Sequence, residues 1–222
     1  MKKINSSKTI CLFQKELAGK KNYSISIMLR LVPVIFKYKF FCICLLILII
    51  FSKTNFVFSL TIDEYSKNIF GDVLFIRHSI APGFGDPKNF DLKDCSTQRN
   101  LNQDGRDQAF IIGEKIKAAG IKFSKIFSSQ WCRCLETGKY LNLGDVILEP
   151  GLNSFFQGIV SKEKTLSKLR KKIRSFESKK ELILMITHQV TISAITGITV
   201  SSGGAVAFNS ISGESKEVRI FD

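Results

Sequence analysis

From Gly71 onward the chain alternates solid apolar runs with stretches of helical period, and this alternation constrains the fold more than any other feature. VLFI (73–76) and LILMI (182–186) contain no charge at all. LNQDGRDQAFIIGEKIKAAG places Ala109, Ile112 and Ile116 at helical spacing and stops at Gly120. TLSKLRKKIRSFES puts Leu166, Leu169, Ile173 and Phe176 on one face of a basic helix. KIFSSQ, VILEP, AVAFN and EVRIF read as further strands, and WCRCLETGKYL and VTISAITG as further helices. A strand covered on both faces has no polar side to show, so it loses the in-and-out alternation of a half-exposed sheet. The expected fold is therefore α/β, a three-layer α/β/α sandwich with a mostly parallel central sheet.

The first 59 residues are of another kind. They hold ten Lys or Arg against Glu16 alone, a charge of +9, whereas the remaining 23 basic and 18 acidic residues leave residues 60–222 at only +5. The formal +14 of the chain thus belongs mostly to the leader, and nucleic acid is not an expected partner. Lys37 and Lys39 precede the uncharged run Phe40–Ser52, too short for the roughly 20 apolar residues of a membrane span. A basic flank, a short apolar core and small Ser59 match an export signal cleaved after Ser59. An uncleaved anchor, with membrane association through residues 40–60 and the basic side in the cytoplasm, is the alternative. A buried helix is the plainer reading. Met28 also offers a start, with MLRLVPVIFKYK as an ordinary basic lead-in. The expected organisation is a leader over 1–59 and a single domain over 60–222. The domain would lie in the periplasm, or at the periplasmic face of an inner membrane.

The chain has only two histidines, and each ends an apolar run: His78 follows VLFIR and His188 follows LILMIT. In open parallel sheets ligands gather outside the carboxyl ends of the strands. Arg77 stands beside the first histidine, and Arg133 lies just past KIFSSQ. A guanidinium presents a planar fork of donors that matches phosphate oxygens. Two imidazoles and two guanidiniums at one sheet edge describe a phosphoryl pocket. Carboxylates and thiolates are absent from those strand ends, so no metal and no cofactor is expected.

The blocks FIRHSIAPG, QRNLNQDGRDQA, IFSSQWCRCLETG and MITHQVTISAITG, in that order, resemble the histidine phosphatase superfamily with its phosphoglycerate-mutase-like fold. The resemblance runs from about Asp72 to Gly197 and points to a bacterial branch of exported or membrane-anchored members. It implies that His78 is the nucleophile, Arg77 and Arg133 its phosphate clamps, and His188 the second histidine, protonated or hydrogen-bonding. It further implies a phosphate contact from Arg99. Ser79 stands beside the substrate, where the motif usually has Gly. The implied activity is hydrolysis of a phosphate ester or phosphoramidate, on a phosphorylated small molecule or a phosphoprotein, through a phosphohistidine. One element departs from the pattern. The block that often reads L-N-E, with the Glu as proton donor, is here Leu152-Asn153-Ser154. Glu149 is the nearest substitute acid, and Asp86, Asp91 and Asp94 are others. Lacking the acid, the domain has a second reading as a non-catalytic module that recognises a phosphorylated partner. A structural membrane protein with a basic tail leaves the two strand-end histidines unexplained. Of the domain cysteines, Cys95 is expected to bridge to Cys132 or Cys134 if the chain is exported, and all three are buried thiols otherwise.

Overall fold

A computed structural model describes residues 59–176 and 181–221. The expected signal or anchor and the alternative start at Met28 therefore lie outside the described residues. The two charge-free runs become the centre of the sheet: β2 (Val73–Arg77) and β5 (Ile183–Thr187) pair in parallel, with Val73 opposite Ile183 and Arg77 opposite Thr187. Outward on one side come β3 (Lys125–Ser128) and β4 (Val146–Leu148), both parallel. On the other side β6 (Ala205–Phe208) pairs antiparallel with β2 and with β7 (Ser215–Arg219). A two-residue β1 (Leu60–Thr61) joins β7 in parallel, giving the order β1-β7-β6-β2-β5-β3-β4.

Side chains of β2 point alternately to opposite faces, and both faces are filled. Leu74 and Ile76 join Ile112 and Ile116 of α2 (Gln103–Ala118) and Leu141 of α3 (Cys132–Leu141) in one core. Val73 and Phe75 join Leu169 and Ile173 of α4 (Lys162–Arg174) and Ile192 of α5 (Gln189–Thr196) in the other. The fold is thus a three-layer α/β/α sandwich around a mostly parallel sheet. α2 leans so closely on the chain after β2 that a Cβ at Gly105 would meet the Ile80 carbonyl oxygen at 2.0 Å. Only glycine allows that approach.

A short N-terminal element escaped the periodicity reading. α1 (Ile62–Lys67) begins at Thr61, whose hydroxyl accepts from the Glu64 N–H while the Glu64 carboxylate accepts from the Thr61 N–H, a reciprocal capping box. Cys95 is joined to Cys132, and Cys134 is free and buried, which resolves the open pairing. The bridge ties the long loop after β2 to the first turn of α3.

Candidate active site

Because Arg77 and Thr187 are level in the parallel register, the next residue on each strand leaves the sheet at the same edge. Those residues are the two histidines. The His78 N–H extends the ladder to the Thr187 carbonyl at 2.9 Å, and the imidazole centroids stand 5.4 Å apart. Both rings line a cavity of about 390 Å³ together with Arg77, Arg99, Arg133 and Asp86.

His78 Nδ1 lies 2.8 Å from the Ser79 carbonyl oxygen, which can only accept. Nδ1 therefore carries the proton and Nε2 keeps its lone pair. Burial, then the charge of Arg133, push the His78 pKa down to about 3, so the ring is neutral in ordinary conditions. His188 is also held neutral, well below its usual value, by burial and by Arg133. Of the two states expected of His188, protonated or hydrogen-bonding, the geometry is that of a hydrogen-bonded neutral ring. Its Nε2 is 3.0 Å from Ser129 Oγ, whose own hydrogen goes to Asn153 Oδ1 at 3.1 Å. Ser129 must therefore accept from His188 Nε2–H, which leaves the Nδ1 lone pair 3.5 Å from Arg133 Nη2.

Arg133 shows two different edges. Its Nη1 and Nη2 grip the Asp86 carboxylate at 2.7 and 3.1 Å, a pair almost sealed from water. Its Nε is buried without a hydrogen-bond partner among the described residues. Arg77 repeats the pattern: Nη1 donates to the Val200 carbonyl at 2.9 Å, and Nε is buried and unpartnered. Burial lowers the pKa of Arg77, and Arg133 lowers it further, as expected where cations crowd together without enough anion. Arg99 lines the cavity, but its Nε donates to the Gly85 carbonyl at 2.9 Å and its Nη1 to the Ala81 carbonyl. Its first task is to hold the loop.

Asp86 is the one carboxylate lining the cavity. Besides Arg133 it accepts from the Arg99 N–H at 3.1 Å and from Trp131 Nε1–H at 3.0 Å. Burial alone would raise its pKa, but the hydrogen bonds and charge of Arg133 outweigh burial and hold it below the ordinary carboxylate value. It is an anchored anion, not a loaded proton donor.

Three sequence expectations are corrected. Glu149 does not line the cavity. Its carboxylate accepts from the Gly151 N–H at 2.9 Å and pairs with Lys172 at 3.2 Å, so it caps a turn under α4. Ser79 is fully buried and contributes its carbonyl to His78 and its N–H to Thr137 Oγ1 rather than a side chain to the cavity. Asp91 and Asp94 bridge each other in the exposed part of the loop, away from the cavity. Ser154, the residue in place of Glu in the block compared above, does line it. The sequence reading missed Ser129 and Trp131, which hold His188 and Asp86. The only signal was their position directly after β3. Among the described residues no group of three or more His, Cys, Asp or Glu converges to hold a metal.

No protein-family model and no curated protein matches the chain. Solved structures offer distant likenesses. The protein histidine phosphatase SixA complexed with tungstate aligns at 17% identity and a TM-score of 0.46, covering 65% of this chain and 92% of that one. A mycobacterial glucosyl-3-phosphoglycerate phosphatase aligns at 11% identity and 0.48, covering 65% and 95%. A phosphoserine phosphatase from Entamoeba histolytica, bound to 3-phosphoglyceric acid, aligns at 15% and 0.42, covering 65% and 93%. Likenesses of this size carry neither activity nor substrate across.

Proposed function

We propose that the chain is a phosphatase of the histidine phosphatase superfamily, cleaving a phosphate ester or phosphoramidate through a covalent phosphohistidine on His78. The observation that carries this reading is a neutral imidazole with a free Nε2, beside two guanidiniums whose buried Nε–H groups have no partner among the described residues. Arg77, Arg99 and Arg133 set against Asp86 leave the cavity with two positive charges, the complement of a phosphoryl dianion. His78 Nε2 attacks phosphorus, and the bond to the leaving group breaks with its electron pair. The Ser79 carbonyl steadies the positive ring that results. Water then attacks phosphorus, the P–Nε2 bond breaks, and the water's proton passes to His188 Nδ1. The guanidiniums hold the equatorial oxygens throughout, so they act by preorganised charge. With Asp86 kept as an anion, leaving groups of low pKa are favoured.

Brief reaction of the full-length protein with a ³²P-labelled aryl phosphate, then acid-labile adduct mapping, tests the reading. Label on His78 is expected, and turnover with no label there would overturn it. The anchored Asp86 and the absent acid favour a second reading, a module that binds a phosphorylated partner without cleaving it. That protein would take up no label and show no turnover.

We further propose that the domain is exported, free in the periplasm or anchored at the inner membrane. The Cys95–Cys132 bridge supports this, since such bonds persist in oxidising compartments. The mature chain is expected to start near Leu60 if the signal is cleaved. Recovery from the cytosol with Met1 intact would refute export.

A further inference from the structure

Two large apolar side chains stand in solvent at the cavity mouth: Phe84 is 88% exposed and Phe156 45%. Both line the cavity, and their rings meet edge to face with centroids 5.1 Å apart. They come from two different loops, and those loops are braced together. The Asp86 N–H donates to Gln157 Oε1 at 2.6 Å, and Gln157 Nε2 donates back to the Asp86 carbonyl at 3.1 Å. Single exposed apolar residues are ordinary, but a braced aromatic pair over a polar cavity is not. The charged groups that line the cavity are Asp86 and three arginines, Arg77, Arg99 and Arg133. Arg133 is engaged by Asp86, and Arg99 has spent two of its nitrogens on loop carbonyls. Ser154, Gln189, Val190 and Ser202, which also line the cavity, are uncharged. Among the described lining residues, a second anionic group on the substrate finds no cation beyond those three arginines.

We infer that Phe84 and Phe156 grip a flat, uncharged ring carried by the phosphate, an aryl or heteroaryl leaving group. The substrates are then phosphorylated rings rather than phosphorylated sugar acids. Such rings leave with a low pKa, which suits a cavity without a proton donor. The inference rests on the phosphatase reading for its chemistry, but its test separates the two.

Binding of phenylphosphonate and methylphosphonate to the full-length protein, measured by calorimetry, reads the ring alone. The phenyl compound is expected to bind roughly 3- to 10-fold tighter, the size of one aromatic contact. Phe84→Ala with Phe156→Ala should erase that ratio, and Phe84→Tyr should keep it. Equal binding of the two phosphonates by the wild type, or a ratio unmoved by the double variant, would overturn the clamp. In turnover, kcat/KM for phenyl phosphate and for N-phosphoimidazole is compared with that for phosphoramidate, which has no ring. Both ratios should fall by the same roughly 3- to 10-fold in the double variant, chiefly through KM. The ring with the larger wild-type ratio tells whether an aryl ester or a phosphorylated imidazole is preferred. If none of the three is hydrolysed, the phosphatase reading fails, and phosphonate binding still decides the ring.

Discussion

The base and the mouth of the cavity are built by opposite means. At the base, His78, Arg133 and His188 are 2–3% exposed, and each is fixed by a strand end or the helix turn after it. At the mouth, Phe84 and Phe156 stand on loops, with an amide pair as their brace. Sheet register makes the base rigid and leaves little room for change. The mouth can be re-lined without touching the register. The proposed chemistry belongs to the first region, and the proposed choice of substrate to the second.

The sharpest way to break this division is at the nucleophile. His78→Ala should abolish turnover while circular dichroism stays unchanged. Residual activity above a few per cent would move the chemistry elsewhere. Arg133→Ala should cost on the order of 10²–10³-fold in kcat, as removal of one preorganised donor does. Unchanged kcat would take Arg133 out of the base. Asp86→Asn keeps the shape but loosens the grip on Arg133 and adds a positive charge to the cavity. About a 10-fold loss in kcat is expected, the size of one charged hydrogen bond. Inhibition by inorganic phosphate should strengthen at the same time. A merely structural role for Asp86 would not strengthen it.

The smallest effect concerns pH. Folded His78 takes its proton only near pH 3, whereas an unfolded histidine takes it near 6.5. As pH falls through that window the unfolded chain binds the proton first, so stability is fully present above about 6.5 and drains away toward 3. His188 is depressed for the same reasons and acts in the same sense. Denaturant midpoints measured across this window should fall with pH, and His78→Asn should flatten the fall. A midpoint that holds steady down to pH 4 would mean that the rings are not held neutral.

Much of the base was legible because strand-end position is a local property. VLFIR and LILMIT announce buried parallel strands, and the residue after each is placed by that fact alone. Arg133 followed from the same rule applied to KIFSSQ. Asp86 was one of three loop acids placed behind Glu149, since only the folded loop decides which carboxylate turns inward. Glu149 misled for a related reason. It stands three residues before Leu152-Asn153-Ser154, but the chain between makes a tight turn whose amide at Gly151 claims the carboxylate. Phe84 and Phe156 are 72 residues apart and carry no shared period, so only tertiary structure pairs them. α1 was readable in principle, since Thr61-Ile62-Asp63-Glu64 spells a capping box, but it is too short to show an apolar period.

The Cys95–Cys132 bond closes residues 95–132 into a covalent ring. That ring carries Arg99, all of α2, all of β3 and the Ser129 that holds His188, so these supports hang on one loop with no free end. A peptidase that cuts the chain between the two cysteines converts the ring to a branch, not to two fragments. Both pieces keep their places in the sheet and the outer helices. If the chain is exported as proposed, to a compartment with proteases and no chaperone powered by ATP, damage of that kind can be survived without refolding.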